Sequence, residues 1–402
     1  MTARWAIGIA VAAVVVVGFA LWWLTRPVAP PAQFALQAVS FAALPGWPNG
    51  RQAAALPGFL DNCARLARWP DERSLGANGT GGTAAAWRPA CVTAATVRGG
   101  DDAAARRFFE QYFQAHAVTG PDGRDGLFTG YFEPLLHGSR DAVGRFRAPL
   151  YRRPADLVTV DLSDFAADLA GRRIVGRVKG GRLVPYPSRA EIDAGALAQQ
   201  ELELFYVDDP VDAFFLQIQG SGVVRLPDGS ARRVGYAGKN GHPYYAIGRA
   251  LIERGHLTRE TVSMQSIRAW LQSNPDEAQA LMQRNPSYVF FRELDTDGPV
   301  GALGVVLTPG RSIAVDRRLI PLGAPMWLDA SRPGDGDGAS DQLLRRLVLA
   351  QDTGGAIRGA VRGDMFWGAG PKAEHIAGHM RHPGRWYLLL PRTLSTIGAG
   401  AD

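Results

Sequence analysis

Two aspartates, Asp352 and Asp364, bracket the run Thr353-Gly354-Gly355-Ala356-Ile357-Arg358-Gly359-Ala360-Val361-Arg362-Gly363, and a third, Asp316, lies upstream in Val315-Asp316-Arg317-Arg318. Carboxyl groups beside a turn that lets backbone and substrate approach closely are suited to proton transfer at an oxygen leaving group. Met365-Phe366-Trp367 follows Asp364 directly, and apolar neighbours of that kind keep a carboxylic acid protonated. Other chemistries lack their parts. No Ser-His-Asp or Gly-x-Ser-x-Gly arrangement suggests a covalent acyl mechanism. The glycine run 76–83 has no Lys-Ser/Thr for phosphate. Asp335-Gly336-Asp337-Gly338 carries Ala339 where the next calcium ligand belongs. His375 and His379 share a helix face, but Glu374 precedes the pair instead of lying inside it. No metal or cofactor is therefore expected, and carboxylates are the candidate catalysts. On residue types alone, Asp352 reads first as a turn former, and a structural ion pair is the alternative for Asp316.

The elements that position these residues read as mainly β. The chain has 402 residues with 46% hydrophobic content, enough for two domains, and its Gly 48 and Pro 27 favour a loop-rich β protein over a helical bundle. Helices are expected over 101–116 with Asp102 as cap, over 244–254 and 264–272, and from Asn274-Pro275 onward. Strands are expected over 212–219, 223–226, 304–308, 311–315, 325–329, 344–350 and 386–390. Residues 5–24 run without a charge from Trp5 to Leu24, long enough to span a bilayer, with Arg4 before the span and Arg26 after it. This reads as an uncleaved signal anchor that exports the rest of the chain; with no cysteine nearby, a lipid anchor is excluded. Residues 26–40 begin with a stiff proline-rich tether. In an oxidising compartment the two cysteines, Cys63 and Cys91, are expected to pair, two buried free thiols being the alternative. The net charge of +6 suits an anionic polymer or a lipid surface, or serves solubility alone.

Five separated segments carry a specific resemblance: Gly126-Leu127-Phe128-Thr129-Gly130-Tyr131-Phe132-Glu133-Pro134, Gln217-Ile218-Gln219-Gly220-Ser221-Gly222, Gly235-Tyr236-Ala237-Gly238-Lys239-Asn240-Gly241-His242, Asn285-Pro286-Ser287-Tyr288-Val289-Phe290-Phe291 and the aspartate region. Together, and in this order, they resemble the membrane-bound lytic murein transglycosylase A family, with a last hundred residues similar to its three-aspartate domain. The resemblance implies two domains flanking a groove: a double-psi β-barrel from 41–130 and 236–395, with 300–391 as the three-aspartate part, and an inserted smaller β-barrel-like domain over 131–235. It implies non-hydrolytic cleavage of the β-1,4 bond between N-acetylmuramic acid and N-acetylglucosamine, leaving a 1,6-anhydromuramyl end. Asp364 corresponds to the single acid and base, with Asp352 and Asp316 orienting it or raising its pKa. Thr129, Gln219, Ser221, Lys239 and Asn240 would hydrogen-bond sugars and peptide stem, and Tyr131 and Tyr236 would pack on sugar faces. The implied partners are peptidoglycan strands and the membrane, not nucleic acid, in the periplasm of a Gram-negative bacterium. A glycan hydrolase on the same fold and a non-catalytic wall-binding module are the rival readings.

Overall fold

The computed structural model describes residues 34–76, 79–169, 172–336 and 338–394. The apolar span 5–24 lies outside the described residues, and among the described residues no helix is long and apolar enough to cross a membrane.

Strand β1 (Ala35–Val39) pairs antiparallel with β2 (Phe113–Thr119), and helices α1 (Leu56–Leu66), α2 (Ala84–Ala94) and α3 (Asp102–Tyr112) lie between them in sequence. Cys63 of α1 and Cys91 of α2 form a disulfide with a Cα separation of 5.4 Å. Closing this loop stabilises the fold by about 3 kcal/mol through the lost freedom of the unfolded chain. The cap of α3 is Asp101, which accepts from the Ala104 amide at 2.8 Å. Asp102, expected as the cap, instead accepts from the Ala53 amide at 2.9 Å. The helix also ends before His116, because Phe113 turns to extended backbone and joins β2.

After β3 (Gly126–Glu133) the chain enters a second lobe. It contains β4 (Leu135–Ser139), β5 (Ala148–Tyr151), a three-stranded antiparallel flap of β6 (Val158–Asp161), β7 (Arg173–Lys179) and β8 (Arg182–Pro185), then α4 (Arg189–Asp193) and β9 (Glu203–Val207). Next come α5 (Pro210–Gln219), β10 (Ser221–Arg225), β11 (Ala231–Lys239), α6 (Ile247–Glu253), α7 (Met264–Ser273), α8 (Pro275–Gln283) and β12 (Val289–Leu294). Its six-stranded sheet has the order β12-β11-β10-β4-β9-β5 and is drawn toward closure by a single bridge from Arg152 to Phe291.

Two expectations need correction. Residues 212–219 form α5, not a strand: Asp209 caps it by accepting from the Val211 amide at 2.7 Å, and Gly220 ends it with a φ of 83°. Leu216 packs on the sheet while Phe214 and Phe215 pack on α6 to α8, so apolar residues surround the helix and hide its period. The boundary expected at Gly235 falls inside β11, whose partner β12 carries this sheet on to Leu294.

The chain then returns to the first lobe through β13 (Ser312–Val315), β14 (Pro325–Arg332), β15 (Gln342–Asp352), β16 (Arg362–Ala369), α9 (Pro371–His379) and β17 (Arg381–Pro391). The strand expected over 304–308 is a loop with one bridge, Val300 to Val306, because Gly304 takes a φ of 85°. Strands β17-β14-β15-β13-β16-β3 form a ring that closes where β3 pairs with β17. Its two parallel pairings, β13 with β15 and β16 with β3, belong to the double-psi barrel that the sequence implied. Phe128, Ile313, Leu328, Met365 and Trp386 fill the interior. Burying each such side chain contributes about 1.5–3 kcal/mol.

Candidate active site

The Arg362-Gly363-Asp364 segment is set by the barrel wall. Gly363 points inward, where an added Cβ would stand 2.7 Å from Ile313 Cδ1 and 3.0 Å from Phe128 Cδ1. A side chain there would force the strand outward. Strand alternation then turns Arg362 and Asp364 to the opposite, outer face. Asp364 lies opposite Ala314 of β13 on one side and Thr129 of β3 on the other. Ala314 is also the register partner of Asp352 at the end of β15. One small residue thus separates the two aspartates, whose backbones lie two strand spacings, roughly 10 Å, apart.

Thr129 donates its hydroxyl to Asp364 Oδ1 at 2.5 Å and accepts from Arg362 Nη2 at 3.0 Å. Arg362 also donates to the Gly363 carbonyl at 2.6 Å and the Leu127 carbonyl at 3.3 Å. This relay holds Oδ1, and Asp364 keeps part of its surface accessible while protein crowds it elsewhere. Burial pushes the Asp364 carboxyl above its ordinary range, opposed by the Arg362 charge and the Thr129 hydrogen bond.

Asp352 accepts from the Tyr131 hydroxyl at 2.8 Å through Oδ2, and from the Ala302 and Thr353 amides at 3.0 and 2.8 Å through Oδ1. Burial raises this carboxyl too, its three hydrogen bonds oppose the rise, and the Asp364 charge adds to it. Repulsion between like charges is reciprocal, so an ionised Asp352 disfavours ionisation of Asp364. Asp316 is placed differently. Its carboxylate is only 1% exposed and is taken by Arg318, at 2.9 and 2.6 Å, and by the Gly359 amide at 3.0 Å. Although burial favours the neutral acid, these donors hold Asp316 below its ordinary range. It therefore anchors the loop leading into β16, and the cation that acts on Asp364 is Arg362.

The remaining candidates divide. Tyr131 is buried against Phe366, ring centres 5.3 Å apart, so its face offers no sugar platform. Tyr236 is 50% exposed on β11. Gln219 accepts from the Phe132 amide at 3.0 Å and donates to Met264 Sδ at 3.8 Å, fastening α5 to β3 and α7. Ser221 is buried opposite Gly235. Asn240, expected on the substrate, is buried and donates to the Pro187 and Pro286 carbonyls at 2.9 Å each, while accepting from the Tyr288 amide at 2.9 Å. Its amide has nothing left for a sugar. Lys239 reaches across to the other lobe, its Nζ standing 3.9 Å from where a Cβ on Gly355 would lie.

Arg362 and Tyr244 were missed. The first was signalled by its position two residues before Asp364 on one strand face; the second, near enough for the Asp364 charge to raise its hydroxyl pKa after burial, lies on a loop with no pattern. Asp335, in the calcium-like run, is held by Arg332 and Lys372.

The family described as the MltA specific insert domain matches residues 127–292, and the 3D domain matches residues 311–390. "Membrane-bound lytic murein transglycosylase A" of Escherichia coli (strain K12) is 36% identical over 294 residues, which is 72% of this chain and 72% of that protein. The protein of the same name from Vibrio cholerae is 34% identical over 298 residues, 73% of this chain and 72% of its own. A membrane-bound lytic murein transglycosylase structure from Agrobacterium tumefaciens superposes with a TM-score of 0.79 at 34% identity, covering 90% of this chain and 99% of that one. The structure of E. coli MltA with bound chitohexaose superposes with a TM-score of 0.64 at 30% identity, covering 90% and 95%.

Proposed function

The chain belongs to the membrane-bound lytic murein transglycosylase A family, and from that premise we propose how its own residues cleave the glycan. It is a peptidoglycan lytic transglycosylase. Asp364 begins protonated on Oδ2 and gives that proton to the glycosidic oxygen as the bond to muramyl C1 breaks. The muramyl C6 hydroxyl oxygen then bonds to C1, and its proton passes to the Asp364 carboxylate, which restores the acid. One bond breaks, one forms, and no water is consumed. Because the nucleophile is part of the substrate, a second catalytic carboxylate is unnecessary and proximity favours attack. The observation that carries this reading is the setting of Asp364: a partly accessible carboxyl whose pKa burial raises, with Thr129 holding Oδ1.

Asp352 is proposed to hold Tyr131 and the Gly354-Gly355 turn, and to help keep Asp364 protonated. Asp316 fixes the approach to β16. Gln219 and Asn240 act as positioning residues, and Tyr236 and Lys239 face the substrate. We divide the chain into a barrel lobe, 34–133 with 300–391, and an insert, 134–294. The relatives are named as membrane-bound, and we assign attachment here to the apolar span 5–24. Full-length protein should stay with the membrane pellet after an alkaline wash, and release into the wash would contradict the anchor.

The acid role fixes a pH signature. With the Asp364 pKa raised, activity holds while the acid form persists and falls as pH rises through that pKa. The Thr129 hydrogen bond lowers this pKa, so Thr129→Val should move the falling limb of kcat/KM to higher pH while reducing the maximal rate about tenfold. A limb that stays in place or moves down would remove Asp364 as the proton donor.

A further inference from the structure

We propose that Lys239, Arg358, Arg317 and Arg153 form a subsite for the carboxylates of the peptide stem, making strands with charged stems the preferred substrate. The inference rests on the transglycosylase reading above. The four cations come from separate segments and converge at one place. Arg358 folds back over the glycine turn, donating to the Gly354 and Ile357 carbonyls at 3.3 and 3.0 Å. Lys239 meets the same turn from the opposite lobe, 3.9 Å from the Cβ position of Gly355. The bond from the Gly359 amide to Asp316, 3.0 Å, draws the segment carrying Arg317 against the residue that follows Arg358. Arg153 lies over Gly238, next to Lys239 on β11, with its Nε 3.3 Å from that Cβ position.

Among the described residues none of the four has a carboxylate within ion-pair distance. Asp316 is given to Arg318, and Asp161, whose charge reaches Arg317 from farther off, is taken by Arg173 and Ser163. Burial disfavours the charged form of Lys239 and Arg317, and Arg358 repels both. Lys239 is half-buried and Arg153, Arg317 and Arg358 are exposed at the rim around it; like charges gathered at one place repel, and an anion that joins them relieves that repulsion. The turn they surround leaves from Asp352, whose other oxygen holds Tyr131 beside Asp364. The N-acetylated sugars are neutral, so the carboxylates of an intact strand belong to its stems. Half-exposed Tyr236 supplies an apolar face beside the cluster.

The test uses full-length enzyme on purified strands whose stems are either native or have their carboxylates converted to amides, which keeps the peptide but removes its charge. Wild type should favour native strands about tenfold in kcat/KM, chiefly through KM. The double variant Arg317→Gln/Arg358→Gln should bring that ratio toward one, and Arg358→Lys, which keeps the charge, should retain it. Equal kcat/KM of wild type on the two substrates would overturn the subsite, as would a double variant that slows both substrates alike. Failure of wild type to release anhydro-ended products from either substrate is a different outcome, which overturns the transglycosylase reading and the subsite with it.

Discussion

Asp364→Asn should reduce release of soluble muropeptides from sacculi by about a thousandfold, because the amide neither gives nor takes the proton that both steps require. The geometry makes this a clean substitution. The side-chain oxygen of Asn can still accept from Thr129, so the Arg362-Thr129 relay and the strand register survive. Stability should move in the opposite direction. Burial raises the folded pKa of Asp364, so the ionised carboxylate costs stability once pH exceeds the unfolded value, and that cost grows until the folded pKa is passed. The neutral amide removes it. Thermal unfolding should therefore show Asp364→Asn more stable than wild type near neutral pH, with the gain vanishing in acid where both side chains are neutral. Retained muropeptide release, or a lower Tm at neutral pH, would count against the role and against the buried acid respectively.

Asp352 should behave differently, since its oxygens close three hydrogen bonds. Asp352→Ala leaves the Tyr131 hydroxyl and two amides without their partner, each costing about 1–3 kcal/mol where water cannot replace it. The expected result is a Tm lower by several degrees together with a loss of activity of about a hundredfold. Asp352→Asn can keep its oxygen on the Ala302 and Thr353 amides and turn its NH2 toward Tyr131, whose hydroxyl can accept. The Asn variant should therefore fold like wild type and keep more activity than the Ala variant. Equal loss in both, with unchanged Tm, would mean that the charge of Asp352 matters and its scaffold role does not.

What the sequence disclosed follows the range of each interaction. Asp364 was legible because Met365, Phe366 and Trp367 follow it directly and because its segment carries the resemblance. For Asp316 the ion-pair alternative is the one the structure favours, since its partners are two residues away and across a loop, Arg318 and Gly359. Asn240 and Gln219 were sugar ligands only by the resemblance, their own segments reading as a turn and a loop. Their duties go to Pro187, Pro286 and Phe132, distant in sequence and close only after the lobes form. The same blindness hid α5, whose two buried faces erase the alternation by which helix and strand are distinguished. The barrel was easier, because its short apolar runs and turns repeat along the last hundred residues. Its closure through β3 and β17 joins segments more than two hundred and fifty residues apart.

The central claim is that the muramyl C6 hydroxyl, and not water, attacks the carbon released by Asp364. Digesting sacculi in heavy-oxygen water and weighing the released muropeptides tests it directly. The account predicts products with anhydro ends, lighter by one water than hydrolysed fragments and carrying no solvent oxygen. Reducing ends labelled with heavy oxygen would contradict it.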